Sequence, residues 1–252
     1  MIDISELRRI ARMKRLSLGY IEKDYLLDLC LLSISRRTKD ELIFKGGTCL
    51  YKFYKIDRFS EDIDFTARKK LDIDILIEKI VSDINLFGIE ATILDKKKSY
   101  DTFLVILRTK GPLYNGTSQS LSRIKIDINL KSSLDLEPLN AGYTSIYSEI
   151  PKVSLLIMQE KEILAEKIRA ILTRDKARDI YDLWFLLKKG IEFDLNLVKE
   201  KLKYYHEKWD KNEFMKKLEE KKNIWGTELT PLIKETPEFK EVKDYIKYAI
   251  VK

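Results

Sequence analysis

The sequence predicts an α+β fold: a mixed β-sheet core with flanking helices, followed by a helical C-terminal half. Three observations carry this. Short segments such as Asp62-Ile63-Asp64-Phe65 and Ile124–Leu130 alternate apolar and polar residues with period two, the mark of half-buried strands. Between them, stretches such as Ile73–Phe87 repeat apolar residues every three or four positions, as amphipathic helices do. After about residue 150 the helical period dominates to the end. The expected division is therefore 1–150 for the sheet core with its helical lead-in and 151–252 for a helical domain.

The elements follow in order. In the first forty residues Leu7, Ile10, Ala11 and Leu18, then Tyr25, Leu26, Leu29 and Leu32, recur at helical steps between charges. Leu42-Ile43-Phe44 is a short apolar run stopped by Gly46-Gly47 and reads as a buried strand. Thr48–Tyr54 follows as helix, and Asp62–Phe65 as a second strand. Ile73–Phe87 is helix, closed by Gly88. Strands are expected at Ile89–Leu94, Thr102–Arg108 and Ile124–Leu130, with Lys110–Ser122 as a loop. Val153–Met158 is an apolar run too short to type. Gln159–Leu172 and Lys176–Leu187 form a helix pair, and breaks fall near Gly190, Trp225-Gly226-Thr227, Pro231 and Pro237.

Composition excludes several classes. The 252 residues hold 48 Lys+Arg against 41 Asp+Glu, a net charge of +7 that suits a polyanionic partner. Only two cysteines and one histidine occur, so a disulfide framework, a zinc cluster and a His-based catalytic triad are not expected. Cys30 and Cys49 read as core thiols, and His206 as a surface or packing residue. The opening MIDISELRRIARMKR has no apolar core, and no stretch suffices for a bilayer span. A cytoplasmic protein with no membrane association is expected.

The chemistry concentrates in Lys45-Gly46-Gly47-Thr48 and Asp62-Ile63-Asp64-Phe65. Residues i and i+2 of a strand share a face, so Asp62 and Asp64 project together while Ile63 and Phe65 face the core. Paired carboxylates suit a two-metal Mg²⁺ site for phosphoryl transfer. Gly46 and Gly47 let backbone amides approach a triphosphate at a helix N-terminus, and Thr48 can cap that helix or offer its hydroxyl to phosphate. Asp127, between Ile126 and Ile128, supplies a third carboxylate if its strand joins the same sheet; it would bind metal and deprotonate an acceptor hydroxyl. A lone Asp-x-Asp on a strand is usually a solvated face. The ordered set of apolar strand, Gly-Gly-Thr, helix, acidic strand and later acidic strand is hard to obtain from packing alone.

These residues resemble the nucleotidyltransferase superfamily related to DNA polymerase β, and within it the AbiEii/AbiGii-type toxin nucleotidyltransferases. The resemblance rests on Phe44–Thr48, Arg58–Phe65 and Ile126-Asp127-Ile128, and extends to Glu22–Tyr25 and Glu162–Leu183. Many relatives have Gly-Ser where this chain has Gly47-Thr48, a change that keeps the hydroxyl. The resemblance implies a nucleotidyltransferase-type core, Mg²⁺, a nucleoside triphosphate donor, an RNA acceptor such as tRNA or a protein acceptor, and a cognate antitoxin. It implies functional roles for Lys167 and Asp182. Lys167 would supply a cation to the triphosphate, with Arg178 assisting donor binding, while Arg58 and Ser60, by their place just before the acidic strand, can touch phosphate or orient Asp62. Arg178 and Asp179 can instead lock the second helix of their pair to the first. The other readings are a catalytically silent nucleotide- or RNA-binding module and a non-toxic housekeeping RNA nucleotidyltransferase. Residues 96–131 carry eight basic residues against two acidic, a surface expected to receive an RNA acceptor.

Overall fold

The computed structural model describes residues 1–131 and 134–250. The chain divides into two compact units. The first comprises 1–53, 59–132 and 138–157, and the second 54–58, 133–137 and 158–252. The units are thus not consecutive halves. The boundary expected at 150 falls after Ile157, and two short upstream segments group with the helices.

The first unit holds helices α1 (Ile4–Lys14), α2 (Leu18–Ser35), α3 (Gly46–Phe53) and α4 (Ile73–Leu86). Its strands are β1 (Leu42–Lys45), β2 (Asp62–Ala67), β3 (Glu90–Lys98), β4 (Thr102–Lys110), β5 (Ser122–Asn129), β6 (Leu139–Tyr143) and β7 (Val153–Ile157). They form one mixed seven-stranded sheet in the order β3-β4-β5-β2-β1-β7-β6. The period-two segments supply the central strands, and the untyped run at 153–158 becomes β7. The strand β6 had no counterpart in the sequence reading.

One face of the central sheet is core. Phe44, Ile63, Phe65, Phe103, Val105, Leu107, Ile124, Ile126 and Ile128 all point there and are buried. Helix α2 packs against β5 and β7, and also meets α1 and α4. It is buried almost all round, as a central helix must be. Side-chain caps start the first-unit helices where the sequence offers them: Asp3 on Ser5 N, Ser17 on Tyr20 N and Asp72 on Ile75 N. Cys30 and Cys49 lie in this core, and burial raises the Cys30 thiol to about 12.

The charges buried with α2 are all partnered. Asp24 accepts from Lys14, Lys52 and Tyr147, and Asp28 from Tyr143 and Ser145, with Lys52 shared between the two aspartates. The two lysines hold Asp24 below the usual carboxylate range despite its burial, whereas burial and the neighbouring Asp24 raise Asp28. This network ties α1, α2 and α3 together.

The second unit contains α5 (Glu160–Thr173), α6 (Ala177–Lys188), α7 (Leu195–Lys203), α8 (Lys211–Glu220), α9 (Trp225–Leu229) and α10 (Phe239–Ala249). Helix α5 packs on α6, α7 and α8, and α6 also meets α9 and α10. Ile163, Leu164, Ile168 and Ile171 of α5 and Ile180, Leu183, Leu186 and Leu187 of α6 build its core. His206 is exposed just beyond α7. No helix among the described residues is long and apolar enough to cross a membrane.

Candidate active site

The candidate site lies on the sheet face opposite the core. Strands β2 and β5 pair in parallel, and their register sets Asp64 directly beside Asp127 and Asp62 beside Lys125. Laterally paired residues share a face, so Asp62, Asp64 and Asp127 project together. Neighbouring strands stand about 4.8 Å apart, and i and i+2 residues about 6.7 Å. All three side chains are half-buried, which leaves their oxygens reachable. Lys125 shares the face, with its ammonium 3.7 Å from Asp127.

Gly46 fixes the adjoining wall. It follows β1, whose Lys45 pairs with Asp64 across the antiparallel β1–β2 ladder. Its φ of +77° lies in the left-handed region that L side chains avoid. A Cβ there would collide with the Asp64 carboxylate, standing 3.0 Å from Cγ and 3.1 Å from Cβ of that side chain. This turn feeds the strand directly into α3, so the helix begins at Gly46 rather than at Thr48. Gly47 lies in its first turn, where backbone N–H groups lack helical partners.

Thr48 does a different job from the one expected. Its side chain is fully buried and donates its hydroxyl to the backbone carbonyl of Asp62. The residue therefore clamps α3 to the start of the acidic strand. Ser60 is buried just before β2.

The remaining candidates gather in the helical unit. The Arg58 guanidinium donates in a fork to Asp182, from Nε to Oδ1 at 2.8 Å and from Nη2 to Oδ2 at 2.9 Å. Lys167 Nζ lies 2.7 Å from Asp182 Oδ2 and donates to Asp179 Oδ1 at 2.8 Å. Arg174, on the far side, forks onto Asp179 at 2.7 and 2.8 Å. Burial opposes the charges of Asp179, Asp182, Lys167 and Arg58, but the ion pairs prevail. They hold Asp179 and Asp182 below the usual carboxylate range and raise Lys167 and Arg58. Lys167 is thus not presented as a free cation, and Arg58 faces Asp182 rather than a phosphate. Of the alternative lock, Asp179 is the member that joins α6 to α5; Arg178 is half-buried on α6.

No group of three or more His, Cys, Asp or Glu among the described residues forms a ready-made metal cage. Mg²⁺ rarely uses one. It keeps waters and binds through one or two carboxylates plus substrate phosphates. Adjacent hard-oxygen donors from Asp64 and Asp127, with Asp62 one step along, fit that mode.

Comparison with known proteins decides the family. A family profile described as "Nucleotidyl transferase AbiEii toxin, Type IV TA system" matches residues 31–246. The chain belongs to the AbiEii nucleotidyltransferase toxin family. Solved structures share the fold of this AbiEii protein. MenT4, a nucleotidyltransferase toxin from Mycobacterium tuberculosis H37Rv, superposes with a TM-score of 0.70 at 18% identity, over 99% of this chain and 88% of that one. JHP933 from Helicobacter pylori superposes with a TM-score of 0.62 at 21% identity, over 93% and 91% of the two chains. Comparison with curated protein sequences returns no match. Sequence reasoning set Asp62 and Asp64 on one strand face from their spacing, and the β2–β5 register brings Asp127 beside them. The same reasoning missed Arg174 as a partner of Asp179, and it missed Lys52 beneath α2, because nothing local marks either pairing.

Proposed function

We propose that this protein is a Mg²⁺-dependent nucleotidyltransferase that moves a nucleoside monophosphate from a nucleoside triphosphate to an acceptor hydroxyl. The supporting observation is the lateral pairing of Asp64 with Asp127, beside Asp62 and against the Gly46 turn. Asp62, Asp64 and Asp127 would hold Mg²⁺, which when bound neutralises the donor phosphates and the charge that develops on transfer. The backbone amides of the first turn of α3, at Gly46 and Gly47, would face the triphosphate, helped by the positive end of that helix. The Asp127 carboxylate would accept the proton of the attacking hydroxyl. The acceptor oxygen then bonds to the α-phosphorus as the bond to pyrophosphate breaks. Catalysis is positioning plus charge neutralisation.

The acceptor in this reading is RNA, with tRNA as the expected class. The Type IV toxin–antitoxin description of the family supports a toxic role and a cognate antitoxin partner. The Arg58–Asp182–Lys167–Asp179 network is read as the scaffold of the helical unit rather than as a donor subsite, because each charge in it already has a buried partner.

The test is transfer of α-labelled nucleotide in the presence of Mg²⁺ by wild type, Asp62→Ala and Asp64→Ala. Wild type labels an acceptor and inhibits growth when expressed. Each variant loses labelling by about 10²–10³-fold, in line with the removal of charge stabilisation of a transition state, and keeps its thermal melt. Equal labelling by wild type and both variants would sink the site.

A further inference from the structure

The register of β4 and β5 sets Arg108 directly opposite Arg123. Like charges facing each other across a ladder are destabilising, so a sheet does not adopt this pairing for its own stability. Both side chains are exposed, and among the described residues neither makes an ion pair. The nearby carboxylates are already taken. Glu90 accepts from Lys110 at 2.7 Å, Glu61 from Lys23 at 2.7 Å, and Glu22 from the backbone of Leu113 at 2.7 Å. On the other side of Arg108 in the ladder stands Thr92, which carries no charge. Two surface cavities, of about 200 and 450 Å³, are lined by Arg108 and Arg123 respectively, and Leu121 lines both.

The pair occupies the same sheet face as the aspartates. Arg123, Lys125 and Asp127 alternate along β5, so the arginine pair lies about 13 Å from the Asp127 level, with Lys125 between them. It also lies on the β4 side of the aspartates, away from the Gly46 turn on the β1 side. Donor phosphates and the arginine pair would therefore lie on opposite lateral sides of the carboxylates.

We propose that Arg108, Arg123 and Lys125 form a track for the phosphate backbone of a single-stranded RNA acceptor, which delivers its 3′-hydroxyl to Asp127. A row of cations along an open sheet face follows a polyanionic strand, and releases its counterions, without reading its sequence. The track relocates the basic surface expected from residues 96–131. Lys96 pairs with Asp74 at 2.6 Å, whereas Arg108, Arg123 and Lys125 share the aspartate face. The inference rests on RNA being the acceptor, as in the proposed function.

The experiment is fluorescence anisotropy of a 5′-labelled single-stranded oligoribonucleotide with a free 3′-hydroxyl, titrated with wild type and with Arg108→Gln/Arg123→Gln between 50 and 200 mM salt. A parallel titration uses a fluorescent nucleoside triphosphate with Mg²⁺. The double variant is expected to lose at least ~10-fold in RNA affinity, and the slope of log affinity against log salt to flatten by about 1.4, two single-strand phosphate contacts' worth. Triphosphate affinity stays within twofold. The Arg108→Lys/Arg123→Lys variant keeps the charge and recovers most RNA binding, which separates loss of contact from loss of fold. Unchanged RNA affinity and slope would overturn the track. So would an equal loss of triphosphate affinity, which assigns the arginines to the donor, and so would a wild-type protein that binds no RNA while labelling a protein. Anisotropy needs no chemistry, so absence of transfer by wild type counts against the proposed function and leaves the track to this binding result.

Discussion

Gly46→Ala separates fold stability from site geometry. The substitution has two costs. A non-glycine residue at φ +77° pays roughly 1–2 kcal/mol for the left-handed conformation. The new Cβ also runs into the Asp64 carboxylate, at 3.0 Å from Cγ. Ordinary carbon contacts begin near 3.5 Å, so the carboxylate must shift by about half an ångström or more. A displacement approaching 1 Å in a positioning site costs on the order of 10²-fold in rate. Gly190 is the control: its φ is +90°, and a Cβ there meets nothing within 4 Å. Both variants should lower Tm by a similar amount, about 2–8 °C for a chain of this size. Only Gly46→Ala should also lose about 100-fold in labelled-nucleotide transfer, and Gly190→Ala should stay within twofold of wild type. The measurements are thermal melts and initial transfer rates at saturating Mg²⁺. Gly46→Ala retaining wild-type transfer would refute the claim that this turn sets Asp64, and parallel losses in both variants would reduce the effect to stability alone.

Three further outcomes follow from buried groups. Asp182→Asn removes the carboxylate that Arg58 and Lys167 both face, and should destabilise by about 3–5 kcal/mol in urea melts because it leaves the buried cluster with excess positive charge. Asp179 and Asp182 are depressed below their unfolded value of 3.8, so their stabilisation is full above that pH and is lost as pH falls through the folded values; an acid titration of wild type should show stability dropping below about pH 4. Among the described residues, Thr66 has the one buried side-chain hydroxyl without a partner, on β2 two residues past Asp64. Thr66→Val should be neutral or stabilising by up to about 1 kcal/mol, checked by the same melts.

The sheet core was legible where packing writes a period into the sequence. Strands β2, β4 and β5 each have one buried face, so their alternation shows. Strand β6 lies at the sheet edge and reads Leu-Asn-Ala-Gly-Tyr, with no residue fully buried. Burial imposes no pattern there. Its constraint is local instead, since a Cβ at Gly142 would meet Lys152 Cε at 2.6 Å. The aspartates were legible because strand geometry makes an i, i+2 spacing a statement about space, and the β2–β5 pairing completes it. Arg58 and Asp182 are 124 residues apart, and no spacing rule connects them. Lys167 looked available because a cation on an amphipathic helix usually is, and only its 8% side-chain exposure shows otherwise.

Charge balance then separates the roles. In the helical unit Asp179 and Asp182 meet Arg58, Lys167 and Arg174, so the buried carboxylates are fully compensated from within. Under α2, Asp24 and Asp28 meet Lys14 and Lys52, with hydroxyls from three further side chains. Both clusters are closed systems that hold helices in place. The aspartate face is different. Asp64 and Asp127 are neighbours in a ladder, and like charges about 5 Å apart repel by roughly 1–3 kcal/mol between the dielectric limits of water and a protein surface. The 3.7 Å contact from Lys125 offsets part of this, and that lysine is itself 40% exposed. Arg108 and Arg123 carry the opposite imbalance farther along the same face. A fold that compensates its buried charges from within, yet sets paired carboxylates and then paired guanidiniums side by side on one open face, makes that face suited to ligands of both signs. A divalent cation at the aspartates and a phosphate backbone along the arginines are the pair of ligands that would relieve both imbalances at once.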